Sequence, residues 1–188
     1  MMSCMTKLAD RNRLSCFMQL ATLAGVKRTS FAGMDCSLAQ CLEVVGEWWT
    51  LLVLRDAMLG VTRFEDFADR LGIARNVLTS RLDGLVEHGV LARVPYSEHP
   101  VRYDYRVTEK GRDLWPVLTA MRQWGDRWAA PDGPPIELRH TGCGEIATVV
   151  PTCSHCRAAL DARSVTVVPG PGLGNVAIPV RRDRIQAG

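Results

Sequence analysis

Four residues late in the chain have the types and spacing of a metal site. His140, Cys143, Cys153 and Cys156 read H-x2-C-x9-C-x2-C. Zinc takes four nitrogen or sulfur donors in a tetrahedron, and donors two residues apart on a tight turn point the same way. The Cys153-Ser154-His155-Cys156 pair has the stronger spacing, and Gly144 eases the turn after Cys143. His155, squeezed between two cysteines, is left out of the ligand set. Four protein donors would close the site, so the expected ion is structural Zn2+ rather than catalytic. A disulfide between two of these cysteines and unbound thiols remain open as alternatives. Another thiol, Cys36, stands at the start of the first expected helix, where aligned peptide dipoles favour a thiolate. That makes Cys36 a candidate sensor of electrophiles or oxidants. Asp35 beside it works against a negative sulfur, and an unreactive cysteine at a subunit interface is the competing reading. Cys41 lies about 140° further round the helix, which excludes an intrahelical disulfide with Cys36.

A different chemistry is written on the stretch 75–88. Leu78, Leu82, Leu85 and Val86 make an apolar stripe, and Asn76, Thr79 and Ser80 lie opposite it. Short polar side chains reach base edges in a major groove, and Asn suits adenine. Arg75 sits at the helix start, close to where a phosphate would bind. Arg63, Arg81, His99 and Arg102 complete the candidate contacts to double-stranded DNA, Arg81 only from the helix flank. Asp83 and Glu87 share the polar face and would repel phosphate. Trp48, Trp115, Trp124 and Trp128 could line a small-molecule effector pocket, but their helical spacing fits core and interface packing better. No nucleophile–base pair or paired-carboxylate arrangement stands out. Pro169-Gly170-Pro171-Gly172 lacks the Lys-Ser/Thr and following helix of a phosphate loop, so no enzymatic activity is expected.

The elements that must position these groups follow from periodicity and punctuation. Ser37 to Gly46 reads as a helix with Leu38, Leu42 and Val45 on one face, and Trp48 to Leu59 as a second whose faces must mostly be buried. Thr62 is an expected N-cap with Glu65 as its capping-box partner. A short third helix then uses Phe64, Phe67, Ala68 and Leu71 as its inner face. Gly72 ends it, residues 73–74 turn, and the fourth helix runs from Arg75 to His88. Two strands, 90–96 and 102–108, flank a loop at 97–100, Tyr103, Tyr105 and Val107 alternating with charged residues. Thr108 caps a long helix to Trp128 striped by Leu114, Val117, Leu118, Met121, Trp124 and Trp128, with Pro116 as its kink or true start. Residues 131–135 form a Pro/Gly-rich linker. A small Cys-rich β unit (136–168) and a tail (169–188) follow, and no internal repeat stands out. A helix, a three-residue turn and a second helix set a fixed angle that lets the second enter a groove, and the hairpin adds a wing.

Composition narrows the class. Hydrophobic residues make up 47%, enough for a packed core. No apolar run approaches the roughly 18 residues of a membrane span. The apolar stretch 17–26 follows Arg11 and Arg13 but lacks a small-x-small cleavage site. The net charge of +3 is misleading: residues 1–33 carry five Lys/Arg and one Asp, so residues 34–188 sum to −1. DNA binding must therefore rest on local placement. Seven cysteines, odd in number and unevenly spread, fit reduced thiols in a cytoplasm better than a secreted disulfide scaffold. Residues 1–33 show no periodicity and read as an N-terminal extension.

Several blocks resemble the HxlR family of bacterial winged-helix regulators, relatives of the MarR type. They are Cys36, Gly46-Glu47-Trp48, Leu51-Leu52-Val53-Leu54-Arg55-Asp56, Arg63-Phe64-Glu65-Asp66-Phe67, Leu78-Thr79-Ser80-Arg81-Leu82, Leu85-Val86-Glu87-His88-Gly89-Val90-Leu91, Pro100-Val101-Arg102-Tyr103-Asp104-Tyr105 and Thr108-Glu109-Lys110-Gly111. They occur in unbroken order over about half the chain. Ser37 departs from the Pro common in the family, and Glu47 from its frequent Lys or Arg. The resemblance implies a mainly α winged helix-turn-helix domain over 34–130. It also implies a homodimeric repressor or activator, dimerising through its first and last helices and binding a palindromic operator. In some relatives the cysteine matching Cys36 senses electrophiles or oxidants. A metal-binding protein-interaction module built on a winged helix is the alternative.

Overall fold

The computed structural model describes residues 30–173. From Phe31 onward they belong to one compact unit. Expectations for the N-terminal extension up to residue 29, and for the tail beyond residue 173, lie outside the described residues.

Six helices and one hairpin follow in the expected order. α1 spans Ser37–Val45, α2 Trp48–Met58, α3 Phe64–Leu71 and α4 Arg75–Glu87; β1 (Leu91–Glu98) and β2 (Val101–Val107) come next, then α5 (Glu109–Arg112) and α6 (Trp115–Trp128). The strands pair antiparallel, Leu91 opposite Val107 and Val94 opposite Asp104, with an irregularity between Pro95 and Ser97. The core lies where α2, α3, α4 and the wing base meet. Val53, Leu54, Phe67, Leu78, Leu82, Leu85, Val90 and Leu91 are buried there, with Tyr105 at the edge. No single helix among the described residues is long and apolar enough to cross a membrane.

Gly72 adopts a left-handed conformation (φ 59°) at the end of α3, and this sharp reversal allows so short a turn into α4. After α4 the chain is held by Thr108, whose hydroxyl donates to the Gly89 carbonyl at 2.7 Å and accepts from the Gly111 amide at 3.1 Å. Thr108 thus caps α5 as a helix N-cap should. The chain then breaks, and Pro116 stands in the first turn of α6, where its missing N–H costs nothing.

Several local expectations are corrected. The residue capping α3 is Arg63, without a side-chain cap. The Thr62 hydroxyl instead donates to Asp104 Oδ1 at 3.3 Å, and the Thr62 carbonyl accepts from the Tyr105 amide at 2.7 Å, so this segment fastens the wing. On α1, Ala39 and Val45 are the buried residues, while Leu38 and Leu42 are exposed. α2 is less enclosed than its composition suggests: Trp48 is 92% exposed. It also buries a charge. Asp56, 1% exposed, is met by Arg55 at 2.8 Å and by Arg70 at 3.3 Å, which ties α2 to α3. A buried carboxylate persists only when paired in this way.

α6 has three working sides, because residues advance about 100° each along a helix. Leu114 and Leu118 pack against the core. Val117, Met121, Trp124 and Trp128 fall within about 60° of arc and all are exposed. The opposite side receives the C-terminal segment. The Gln123 side-chain amide donates to the Val149 carbonyl at 3.1 Å and accepts from the Val149 amide at 3.0 Å, and Arg122 donates to the Ile136 carbonyl at 3.0 Å. The β pairing of the segment beyond the linker consists, among the described residues, of two isolated antiparallel bridges, Arg139 with Ile146 and Thr152 with Ala159.

Candidate nucleic-acid interface

The α3–turn–α4 pair leaves one face of α4 in solvent. Asn76, Thr79 and Ser80 are exposed on it, with the Thr79 hydroxyl bonded back to the Arg75 carbonyl at 2.9 Å. Exposure follows from burial on the other side: Leu78, Leu82 and Leu85 hold α4 to the core, so their opposite face must look outward. The hairpin beside it carries His99 and Arg102, both exposed, at and next to its tip.

The arginines are less free than a list of positions suggests. A cleft of about 530 Å³ between α3, the start of α4 and the wing is walled by Arg63, Phe64, Glu65, Arg75, Tyr96 and Arg102. Arg75 grips both carboxylate oxygens of Glu65, at 2.5 and 2.7 Å, and lies 4.8 Å above the Phe64 ring. This bidentate bond holds the Glu65 carboxyl below the ordinary carboxylate range, aided by the charge of Arg102, and raises Arg75 in turn. Arg63 stacks 4.8 Å over Tyr96 and stands 4.0 Å from Asp104. Arg81, 24% exposed, is turned to Glu47 at 3.1 Å, which fastens α4 to the start of α2. Asp83, an acid expected to repel phosphate, is paired with Arg93, whose guanidinium also reaches the Tyr103 and Tyr105 rings. Glu65, Asp83 and Arg93 therefore belong to the site, and spacing along the chain gave no signal of their pairings.

The other candidates lie elsewhere. Cys36 is exposed at the N-cap of α1. Among the four candidate tryptophans, Trp115 borders an open groove of about 630 Å³ with Ala57, Met58 and Tyr105. The Cys/His residues come together as two pairs. His140 Nδ1 is 3.2 Å from Cys143 Sγ. Cys153 accepts hydrogen bonds from the backbone N–H groups of Cys156 and His155 and contacts the Cys156 side chain, which holds its thiol below the usual range. Among the described residues, no three of these donors are gathered into one metal-holding group.

Two helices at a fixed angle, an outward polar helix and a hairpin beside it define a winged helix-turn-helix. Residues 44–133 match the model of the HxlR-like helix-turn-helix family. The HTH-type transcriptional regulator Rv3095 of Mycobacterium tuberculosis, itself uncharacterized, is 53% identical over 137 residues, 72% of this chain and 87% of that protein. The regulator sll1512 of Synechocystis, also uncharacterized, is 36% identical over 97 residues, 51% of this chain and 72% of its own length. Among solved structures, the candidate transcription factor PA1607 superposes with a TM-score of 0.68 at 38% identity, over 76% of this chain and all of that one. PA1374 of Pseudomonas aeruginosa, also a candidate transcription factor, gives 0.55 at 40% identity, over 74% and 96%. The chain belongs to the HxlR-like helix-turn-helix family. It is a DNA-binding transcription regulator of winged helix-turn-helix fold, with β1–β2 as its wing.

Proposed function

We infer that the protein acts as a homodimeric repressor on a palindromic operator, one α4 entering the major groove of each half-site. The observation that carries this reading is the exposed apolar stripe of α6, with Leu38, Leu42 and Trp48 as further apolar surface on α1 and α2. Four large apolar side chains in one arc, turned away from both the core and the C-terminal segment, suit a second copy of the same helix, and a twofold dimer repeats one patch on itself. Asn76, Thr79 and Ser80 then read bases, while Arg63, Arg75, His99 and Arg102 meet the phosphates. Arg81 braces α4 through Glu47 instead.

Glu65 is held by Arg75 with the charge of Arg102 nearby, the place a DNA phosphate would take in this reading, so DNA has to displace it. Cys36 is the proposed control point. Its thiol is exposed at the head of α1, and an adduct there would alter the helix that carries Leu38 and Leu42.

Protection mapping on genomic fragments at moderate salt, with and without an electrophile, tests these assignments together. The expected result is a twofold-symmetric footprint that Asn76→Ala with Thr79→Ala blurs between sites and that electrophile weakens in the parent but not in Cys36→Ser. An asymmetric footprint, or unchanged selectivity in the helix variant, overturns the assigned face.

A further inference from the structure

Between Pro131 and Leu173 no residue is buried. Ile136, Ile146, Val150 and Val165 are exposed. A segment without a hydrophobic core needs another staple to hold a backbone in one shape. Yet this backbone is specific, and it is built twice. The His140 amide bonds to the Glu145 carbonyl, and the Cys153 amide to the Ala158 carbonyl. The Gly144 amide returns to the His140 carbonyl, and the Arg157 amide to the Cys153 carbonyl. The Ala147 amide reaches the Leu138 carbonyl, and the Leu160 amide the Pro151 carbonyl. The residue after each second donor is left-handed, Gly144 at φ 80° and Arg157 at φ 63°. Both isolated bridges obey the same relation. Each of these backbone features of the first turn recurs thirteen residues later in the second. Only Cys143 and Cys156 are identical between the two turns, which hid the repeat in the sequence.

Each turn presents two soft donors side by side. A zinc ion with Zn–N near 2.05 Å and Zn–S near 2.3 Å in a tetrahedron sets its N···S edge at about 3.6 Å; His140 Nδ1 and Cys143 Sγ already stand at 3.2 Å. Gly142 makes room for that imidazole, since a Cβ there would lie 2.9 Å from His140 Cε1. The chain between the turns is anchored at Val149 by Gln123 of α6.

We propose that the two turns are the halves of one structural zinc site, His140, Cys143, Cys153 and Cys156 closing on a single ion within one chain. The ion supplies the staple that the missing core does not, and it holds the unit in shape against α6. The two pairs stand apart among the described residues, so the ion itself must draw them together, and metal coordination in small units is strong enough to drive folding. The three thiols bind as thiolates, so three protons are released as zinc enters.

The test uses the full chain, purified under reduction without added zinc. Expected are about one zinc per chain, and tetrahedral thiolate-bound cobalt(II) bands when that metal replaces it. Chelation should open 136–160 to limited proteolysis while helical circular dichroism persists. Cys153→Ser and His140→Ala should each lose the metal with the winged helix still folded. Less than about 0.2 zinc per chain with no uptake on titration overturns the site. Half an ion per chain, retained only in the dimer, overturns the intrachain arrangement. Thiol counts showing Cys153 and Cys156 oxidised to a disulfide in the native protein overturn it as well.

Discussion

Truncating Trp124 to alanine tests the dimer at one of the two most exposed tryptophans of α6. The side chain is 65% exposed in the protomer. A tryptophan presents up to about 250 Å², so roughly 160 Å² of it is available to a partner. Covering that area at ~25 cal/mol per Å² is worth about 4 kcal/mol, or about 8 kcal/mol for the two symmetric copies. If half the area is covered, the variant loses about 4 kcal/mol of association, close to a thousandfold in the dimer dissociation constant. Little monomer stability should change, because the ring touches solvent rather than the core. Sedimentation velocity across nanomolar to micromolar protein measures the constant directly, and thermal unfolding of the dilute monomer supplies the control. Trp124→Phe should recover most of the loss, since it retains most of the apolar area. Trp124→Ala with an unchanged dimer constant refutes the assignment of the α6 stripe. A large loss of monomer stability would instead mean that the ring packs internally.

Other perturbations follow from the interface. Glu65→Gln frees Arg75, and titration of labelled duplex across salt should show tighter binding with a steeper salt dependence; equal or weaker binding contradicts the latch. Because the Glu65 carboxyl is depressed, its ion pair with Arg75 is fully present above the ordinary glutamate value of about 4.5 and fades as pH falls through the lowered folded one. An NMR titration of the carboxyl carbon reads this, and a midpoint at or above the ordinary value refutes it. Arg102→Ala should weaken binding to specific and random duplex alike and reduce the salt slope by about 1, where a loss confined to the operator would make Arg102 a base reader. Gly111→Ala drives a Cβ into the Val90 carbonyl and the Val107 side chain at the wing base. The expected loss is about 2–3 kcal/mol, read as a fall in Tm of about 4–12 °C for a chain of this size, and an unchanged Tm would show that the α5 turn can yield.

Element order was legible because its causes are local. Gly72 and Gly89 end helices where the chain needs left-handed backbone, Pro116 marks either a kink or a start and stands in the first turn of α6, and Leu78, Leu82 and Leu85 recur with the helical period and are buried as expected. The exposed polar face of α4 followed directly, since whatever lies opposite that stripe must face water. The same reasoning could not separate core from interface on α1 and α6. A helical stripe of Leu38 and Leu42, or of Met121, Trp124 and Trp128, looks the same whether it faces its own core or another molecule. Periodicity measures amphipathicity and says nothing of what covers the apolar side.

The two families of chemistry divide along the same line. Residue types and spacing along the chain were enough to place an exposed polar face on α4 and to group the Cys/His residues in two pairs, since each set lies within a few turns of backbone. Which carboxylate holds which arginine was decided by packing alone. Glu65 with Arg75, Glu47 with Arg81 and Asp83 with Arg93 each join different elements, and the energy of such a pair depends on a distance that exists only once the core has brought α2, α3, α4 and the wing together. The thirteen-residue repeat in the metal-donor turns is tertiary information of a second kind: it is carried by backbone hydrogen bonds, which are nearly blind to side-chain identity and so leave no repeat in the residues themselves.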